Sequence, residues 1–251
     1  MWPFRKKSQH QIYFTCDEWA IRKYAPIEPA KNFLPKAFKD METFLVKKKY
    51  ALDSVKTIKS CPGIIDYCSA GYVITAWCDM EINPSIDGQA VSVRYSNPKY
   101  NQGGHSPAVI QNFMAHKFGV RMSVKLDNPW SVWTKPDVSV MYLPMYYYDD
   151  TRNWEALPGW IDTDLGAVSS PINIMLKEPK QTFIKMGEPL VQMVPIRREE
   201  FTAYTGENTE VTKKRYLGIS GLHDMSFSGW LKHMKTKKTY SIDARDTELP
   251  D

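Results

Sequence analysis

The sequence is poor in the residues from which most reaction centres are built. Its four cysteines (Cys16, Cys61, Cys68, Cys78) form no Cys-x-x-Cys pair, and none of its five histidines lies two to four residues from a cysteine. Zinc sites and disulfide frameworks both need closer or denser pairing, so this spacing predicts unpaired thiols in a reducing compartment. No histidine is followed two places later by an acid, which removes the strand-borne half of an iron-oxygenase triad. A Gly-x-Ser-x-Gly elbow and a phosphate-cradling Gly-x4-Gly-Lys-Ser/Thr loop are also missing. No long apolar stretch follows Met1-Trp2-Pro3-Phe4-Arg5-Lys6-Lys7, so neither a signal peptide nor a membrane span is expected. These absences predict a cytoplasmic protein with no membrane partner.

Strong charge of one sign is lacking too. The net charge is +5, much of it in Arg5–Lys7, Lys47–Lys49, Lys213–Arg215 and Lys235–Lys238. Such runs attract polyanions through counterion release and keep nucleic acid as a possible partner, but no nucleic-acid motif accompanies them.

Aromatics are plentiful, with 8 Trp, 14 Tyr and 10 Phe, while 17 Pro and 13 Gly are spread along 251 residues. Short extended runs between turn residues suit a mainly β chain with a few short peripheral helices, as a distorted barrel, a sandwich or a clip. Strands are expected at 10–16, 69–82, 90–95, 120–126, 130–134, 138–143, 171–176, 182–184 and 190–196. Helices are expected at 36–45, from Phe38, Met41, Phe44 and Leu45, and at 61–67. A weaker closing helix falls at 215–235, broken by glycines. One domain over 1–251 results, with a β core at 57–198 and the segments 1–56 and 199–251 packed on it.

Two groups of residues are candidates for function. Asp162 and Asp164 stand two apart, on one face of an extended segment, where they could hold a magnesium ion or position a water. A plain Asp-rich turn after Pro158-Gly159 is the simpler explanation of them. The run Met141–Tyr148 ends in Tyr146, Tyr147 and Tyr148, side chains that give large contact area at low entropy cost. Trp130, Trp133, Trp154 and Trp160 read as core.

The segments Gly159–Asp164, Pro171–Leu176 and Ile184–Pro195, together with Ser69-Ala70-Gly71-Tyr72, resemble the central motifs of dUTPase-like β-clip proteins. The resemblance implies a β-clip scaffold and places Asp162 at the water-activating acid. Val73 stands where that family has a further acid, and Leu165 where it has a tyrosine. Pro26–Phe38, Ile58–Asp66, Asn128–Thr134 and Gln192–Glu199 resemble an uncharacterised family of marine phage and bacterial proteins. That implies a viral setting, in host cytoplasm or virion, without an activity.

Two functions follow. The first is a non-enzymatic, phage-type binding protein, a virion component or one that engages a host protein, with no cofactor and with a protein partner or self-association. Its contact residues would be Tyr146, Tyr147, Tyr148, Lys135 and Arg197. The second is a magnesium-dependent enzyme acting on a nucleotide or a small phosphorylated metabolite through Asp162 and Asp164, with Lys135 or Arg197 beside them.

Overall fold

The computed structural model of the chain describes residues 11–48, 55–85, 91–100, 123–148, 151–166, 168–169, 172–203 and 205. All five histidines, the basic runs 5–7, 213–215 and 235–238 and the expected helix 215–235 lie outside them. The chain divides into two compact units, Met1–Pro35 with Ser69–Glu199 and Lys36–Cys68 with Glu200–Asp251.

In the first unit the chain begins with β1 (Ile12–Thr15), α1 (Trp19–Tyr24) and β2 (Glu28–Pro29). In the second come α2 (Lys36–Asp40), β3 (Phe44–Val46), β4 (Val55–Lys56) and α3 (Pro62–Ser69). The first unit then resumes with β5 (Tyr72–Thr75), β6 (Met80–Pro84), β7 (Val91–Tyr95), β8 (Ser123–Leu126), β9 (Ser131–Thr134) and β10 (Val138–Pro144). It ends with β11 (Trp154–Ala156), β12 (Gly159–Ile161), β13 (Val168–Ser169), β14 (Ile172–Leu176), β15 (Thr182–Ile184) and β16 (Pro189–Arg197). The fold is mainly β with a few short helices, as its composition predicts. Among the described residues no helix is long and apolar enough to cross a membrane.

Among the described residues, the strands of the first unit form four antiparallel sheets: β12-β10-β16-β5-β2, β1-β9-β13, β11-β14-β8 and β15-β6-β7. Alternation drives the largest. Val138, Val140 and Tyr142 of β10 are buried on one face, joined by Ile74 of β5 and Val191 and Met193 of β16. Ile82, Val124, Leu126, Ile172, Ile174 and Leu176 extend the same core. Pro195 sits inside β16 because β5 stops pairing at Met193, so the missing N–H removes no bond from that ladder.

Several elements differ from expectation. The apolar run 69–82 is two strands in two sheets, β5 and β6, since the chain leaves one sheet at Ala76 and enters another. There the Ala76 N–H donates to the Glu188 carbonyl, the Gly187 N–H donates back to Ala76, and Asp79 accepts from the Met186 N–H, each at 2.8 Å. The helix expected over 36–45 stops at Asp40, because Phe44–Val46 pairs with β4 instead. Lys59 donates to the carbonyls of Lys39 and Met41 at the end of α2, both at 2.7 Å, where a cation suits the helix dipole. Trp130 and Trp154 are core; Trp160, on the edge strand β12, is 55% exposed.

Gly71 is set by geometry. Its φ is +70°, and a Cβ built on it would lie 1.9 Å from the Met193 carbonyl oxygen. The Ala30 N–H donates to the Gly71 carbonyl at 3.0 Å, and buried Gln192 donates to the Ala70 carbonyl at 2.7 Å.

Candidate functional site

The acid pair lies where β12 ends. Strand alternation puts Asp162 on the same side as Trp160, opposite Ser139 of β10. One Asp162 oxygen accepts from the Ser139 hydroxyl at 2.6 Å and from the Trp160 indole at 3.3 Å. Asp164 is turned inward, its side chain only 7% exposed, and it holds Arg198 in a two-pronged ion pair. One guanidinium nitrogen is 2.8 Å from Asp164 Oδ1, 3.1 Å from the Ser139 hydroxyl and 3.2 Å from Asp162 Oδ1; the other nitrogen meets Asp164 Oδ2.

Local backbone chemistry builds this arrangement. Asp137 ends the turn between β9 and β10 at φ +65°, a conformation that Asp tolerates better than most residues. Its N–H donates to Asp164 Oδ2 at 3.0 Å, and its carbonyl accepts the Arg198 N–H at 2.9 Å. Between the two acids, buried Thr163 shares a 2.8 Å hydroxyl contact with Thr134. The segment 162–164 is therefore pinned at every residue.

Its electrostatics follow. The Ser139 hydroxyl, then Trp160 and Arg198, hold the Asp162 carboxyl below the usual carboxylate range. The Arg198 guanidinium, then the Asp137 N–H, does the same for Asp164. The carboxylates in turn raise the Arg198 pKa. A general acid or base working near neutrality needs its pKa moved the other way. A magnesium ion would have to displace Arg198, so the residues present do not fit one. Among the described residues no group of three or more His, Cys, Asp or Glu side chains is placed to hold a metal ion.

The basic residues named from sequence lie elsewhere in this picture. Arg197 pairs with Glu199 at 2.7 Å, and Arg198, its neighbour, is the one that meets the acids. The pairing of β10 with β16 decides this: Ser139 pairs with Ile196, so Arg198, two residues on, falls on the Ser139 side. Lys135 is exposed in the β9–β10 turn, its N–H donating to the Gln11 carbonyl at 3.2 Å.

The tyrosines form a second site. After β10 a tight turn is closed by the Tyr146 N–H on the Pro144 carbonyl (2.8 Å) and the Tyr148 N–H on the Met145 carbonyl (3.0 Å). It presents Tyr146, 66% exposed, and Tyr147, 41% exposed, packed edge to face at 5.0 Å. Tyr148 is half-buried. The Arg152 guanidinium lies 4.5 Å from the centre of the Tyr148 ring and 4.5 Å from that of Trp154, and donates to the Pro189 carbonyl at 2.9 Å. Beside this corner opens a cavity of about 270 Å³, lined among the described residues by Met145, Tyr146, Arg152, Trp154, Glu155, Ala156 and Lys177. Of these walls, sequence reading found Tyr146 alone; strand β11, which carries Trp154, Glu155 and Ala156, is too short for its alternation to show.

No protein-family model matches the chain, and no curated protein matches it.

Proposed function

We propose that this chain is a non-enzymatic, phage-type protein that works by binding a protein partner, as a virion component or by engaging a host protein in the cytoplasm, through the Tyr146–Tyr148 corner. The observation that carries this reading is the pair Tyr146 and Tyr147, exposed yet held by the turn and by each other beside a concave, charged wall. Rings ordered before contact lose little entropy on binding, and Tyr, Trp and Arg are the side chains that dominate contact energies. The acid pair supports the same reading, because Asp162 and Asp164 are both engaged by Arg198. The viral setting rests on the resemblance of Pro26–Phe38, Ile58–Asp66, Asn128–Thr134 and Gln192–Glu199 to the phage and bacterial family.

The test compares wild-type chain with a Tyr146→Ser/Tyr147→Ser double variant, by mass spectrometry of purified particles and by crosslinking in the host. A partner or particle association present in the wild type and lost in the variant is expected. Association that survives the double variant, or absence from particles together with no crosslinked protein, refutes the proposal.

A further inference from the structure

We infer that the open edge of β12 receives an arginine side chain of a polypeptide partner, its guanidinium lying on the Trp160 ring and donating to Asp162 Oδ2. This surface is separate from the tyrosine corner and does not depend on it. Asp162 and Asp164 share one cation: Arg198 grips Asp164 with both prongs and reaches Asp162 with one. Among the described residues, Asp162, Asp164 and Arg198 have no ion-pair partner but one another, so one negative charge is left over. It resides on Asp162, whose side chain is 43% exposed. The contacts from Ser139, Trp160 and Arg198 all end on Oδ1, which leaves Oδ2 to an incoming donor.

The indole is held where such a cation needs it. Its N–H donates to Asp162 Oδ1 at 3.3 Å, so the carboxylate sits at the edge of the ring and the broad faces are left for stacking. Trp160 is 55% exposed, and among the described residues no ring or cation packs on it. Arginine fits this pair better than lysine, because a planar guanidinium stacks on an aromatic face while its N–H groups point outward in plane. A ring already tied to its carboxylate loses little freedom on contact. Register supplies a seat for the partner's neighbouring side chains. Trp160 pairs with Met141, and Met141 with Val194, which puts the three in one row across β12, β10 and β16. Leu143 and Ile196 fall on the same face, opposite buried Val140 and Tyr142, and all four apolar neighbours of Trp160 in this set are half-buried. The leftover negative charge disfavours a phosphate backbone at the same place, so a polypeptide and not a nucleic acid is the occupant.

NMR titration of the full chain, followed at the Trp160 indole N–H and the Ile161 amide, tests this with four probes. They are N-acetyl-Leu-Arg-Leu-amide, the same peptide with citrulline in place of arginine, tetramethylammonium chloride and a thymidine tetranucleotide. Citrulline keeps the shape of arginine without its charge. The arginine peptide should shift both signals and bind about fivefold more tightly than the citrulline peptide, as expected of an exposed cation–π contact and an exposed ion pair together. Asp162→Asn should bring that ratio close to one. Trp160→Ala, a change outside the strand ladder, should lower it to about twofold, and Trp160→Phe should keep most of it; the Trp160→Ala result decides the matter if Asp162→Asn does not fold. Equal binding of the two peptides, or a ratio unchanged in Trp160→Ala, overturns the inference. So does tetramethylammonium or the tetranucleotide binding at these signals as tightly as the arginine peptide. A shift of the same signals on simple dilution would put a second copy of the chain on this edge and overturn it too.

Discussion

Replacing Gly71 with alanine should be among the most damaging conservative changes available to this chain. The added Cβ would lie 1.9 Å from the Met193 carbonyl oxygen, 2.9 Å from its carbon and 3.0 Å from the Val194 Cα. Ordinary contact needs about 3.5 Å, so backbone must yield by roughly 1.5 Å. The strand that would have to move is β16, paired on one side with β10 through Val194 and on the other with β5 through Met193. Leaving β16 in place would instead require moving Gly71, whose carbonyl is bonded to Ala30. A side chain at φ +70° costs about 1–2 kcal/mol, and overpacking against ordered structure about 1–3 kcal/mol more. A loss of about 3–4 kcal/mol is expected, a large share of the ~5–15 kcal/mol that keeps a domain folded. Urea unfolding followed by circular dichroism measures it, with Gly159→Ala as control, since a Cβ there meets nothing within 4 Å. If Gly71→Ala unfolds within about 0.5 kcal/mol of wild type, the close approach is not real and the packing argument fails.

The Asp164–Arg198 pair makes an acid-side prediction. Both Asp162 and Asp164 titrate below their unfolded values, so their stabilisation is complete above the unfolded carboxyl pKa, about 3.9, and is lost as pH falls through the lower folded values. Arg198→Gln should therefore lose less melting temperature than wild type between pH 6 and pH 3; an equal or greater loss contradicts the pairing. Tyr95 makes the alkaline counterpart. Burial pushes its phenol up to about 12, against the lowering effect of the Asp127 N–H that donates to it at 2.8 Å. Its contribution is complete below the unfolded pKa near 10 and is lost as pH rises through about 12. In an absorbance titration at 295 nm, Tyr95→Phe should remove ionisation from the part of the curve near pH 12, and removal near pH 10 would show the ring to be solvated.

Most strands were legible because their cues are local. Alternating apolar residues bounded by Asp127-Asn128-Pro129 and Lys135-Pro136-Asp137 mark β8, β9 and β10, and the apolar runs near β14 and β16 show through β-branched side chains and flanking Gly and Pro. The break between β5 and β6 was hidden because Ala76–Cys78 is as apolar as its flanks, and only the bonds of Ala76 with Gly187 and Glu188 reveal it. The strand at Phe44–Val46 overrode a helical pattern for the same kind of reason: its partner β4 supplies ladder bonds that periodicity cannot weigh.

The candidate sites divide along the same line. Asp162, Asp164 and the three tyrosines were visible as residue types in a pattern, since composition and spacing of two are properties of the chain itself. That Asp164 turns inward onto Arg198, that Arg197 turns away to Glu199, and that Trp160 ends on an open edge depended on which strands became neighbours. So did the meeting of Tyr146 with Arg152, Trp154 and Lys177 around one cavity. A carboxylate's chemistry is set by the charge within a few ångströms of it, and long-range pairing decides which charge that is.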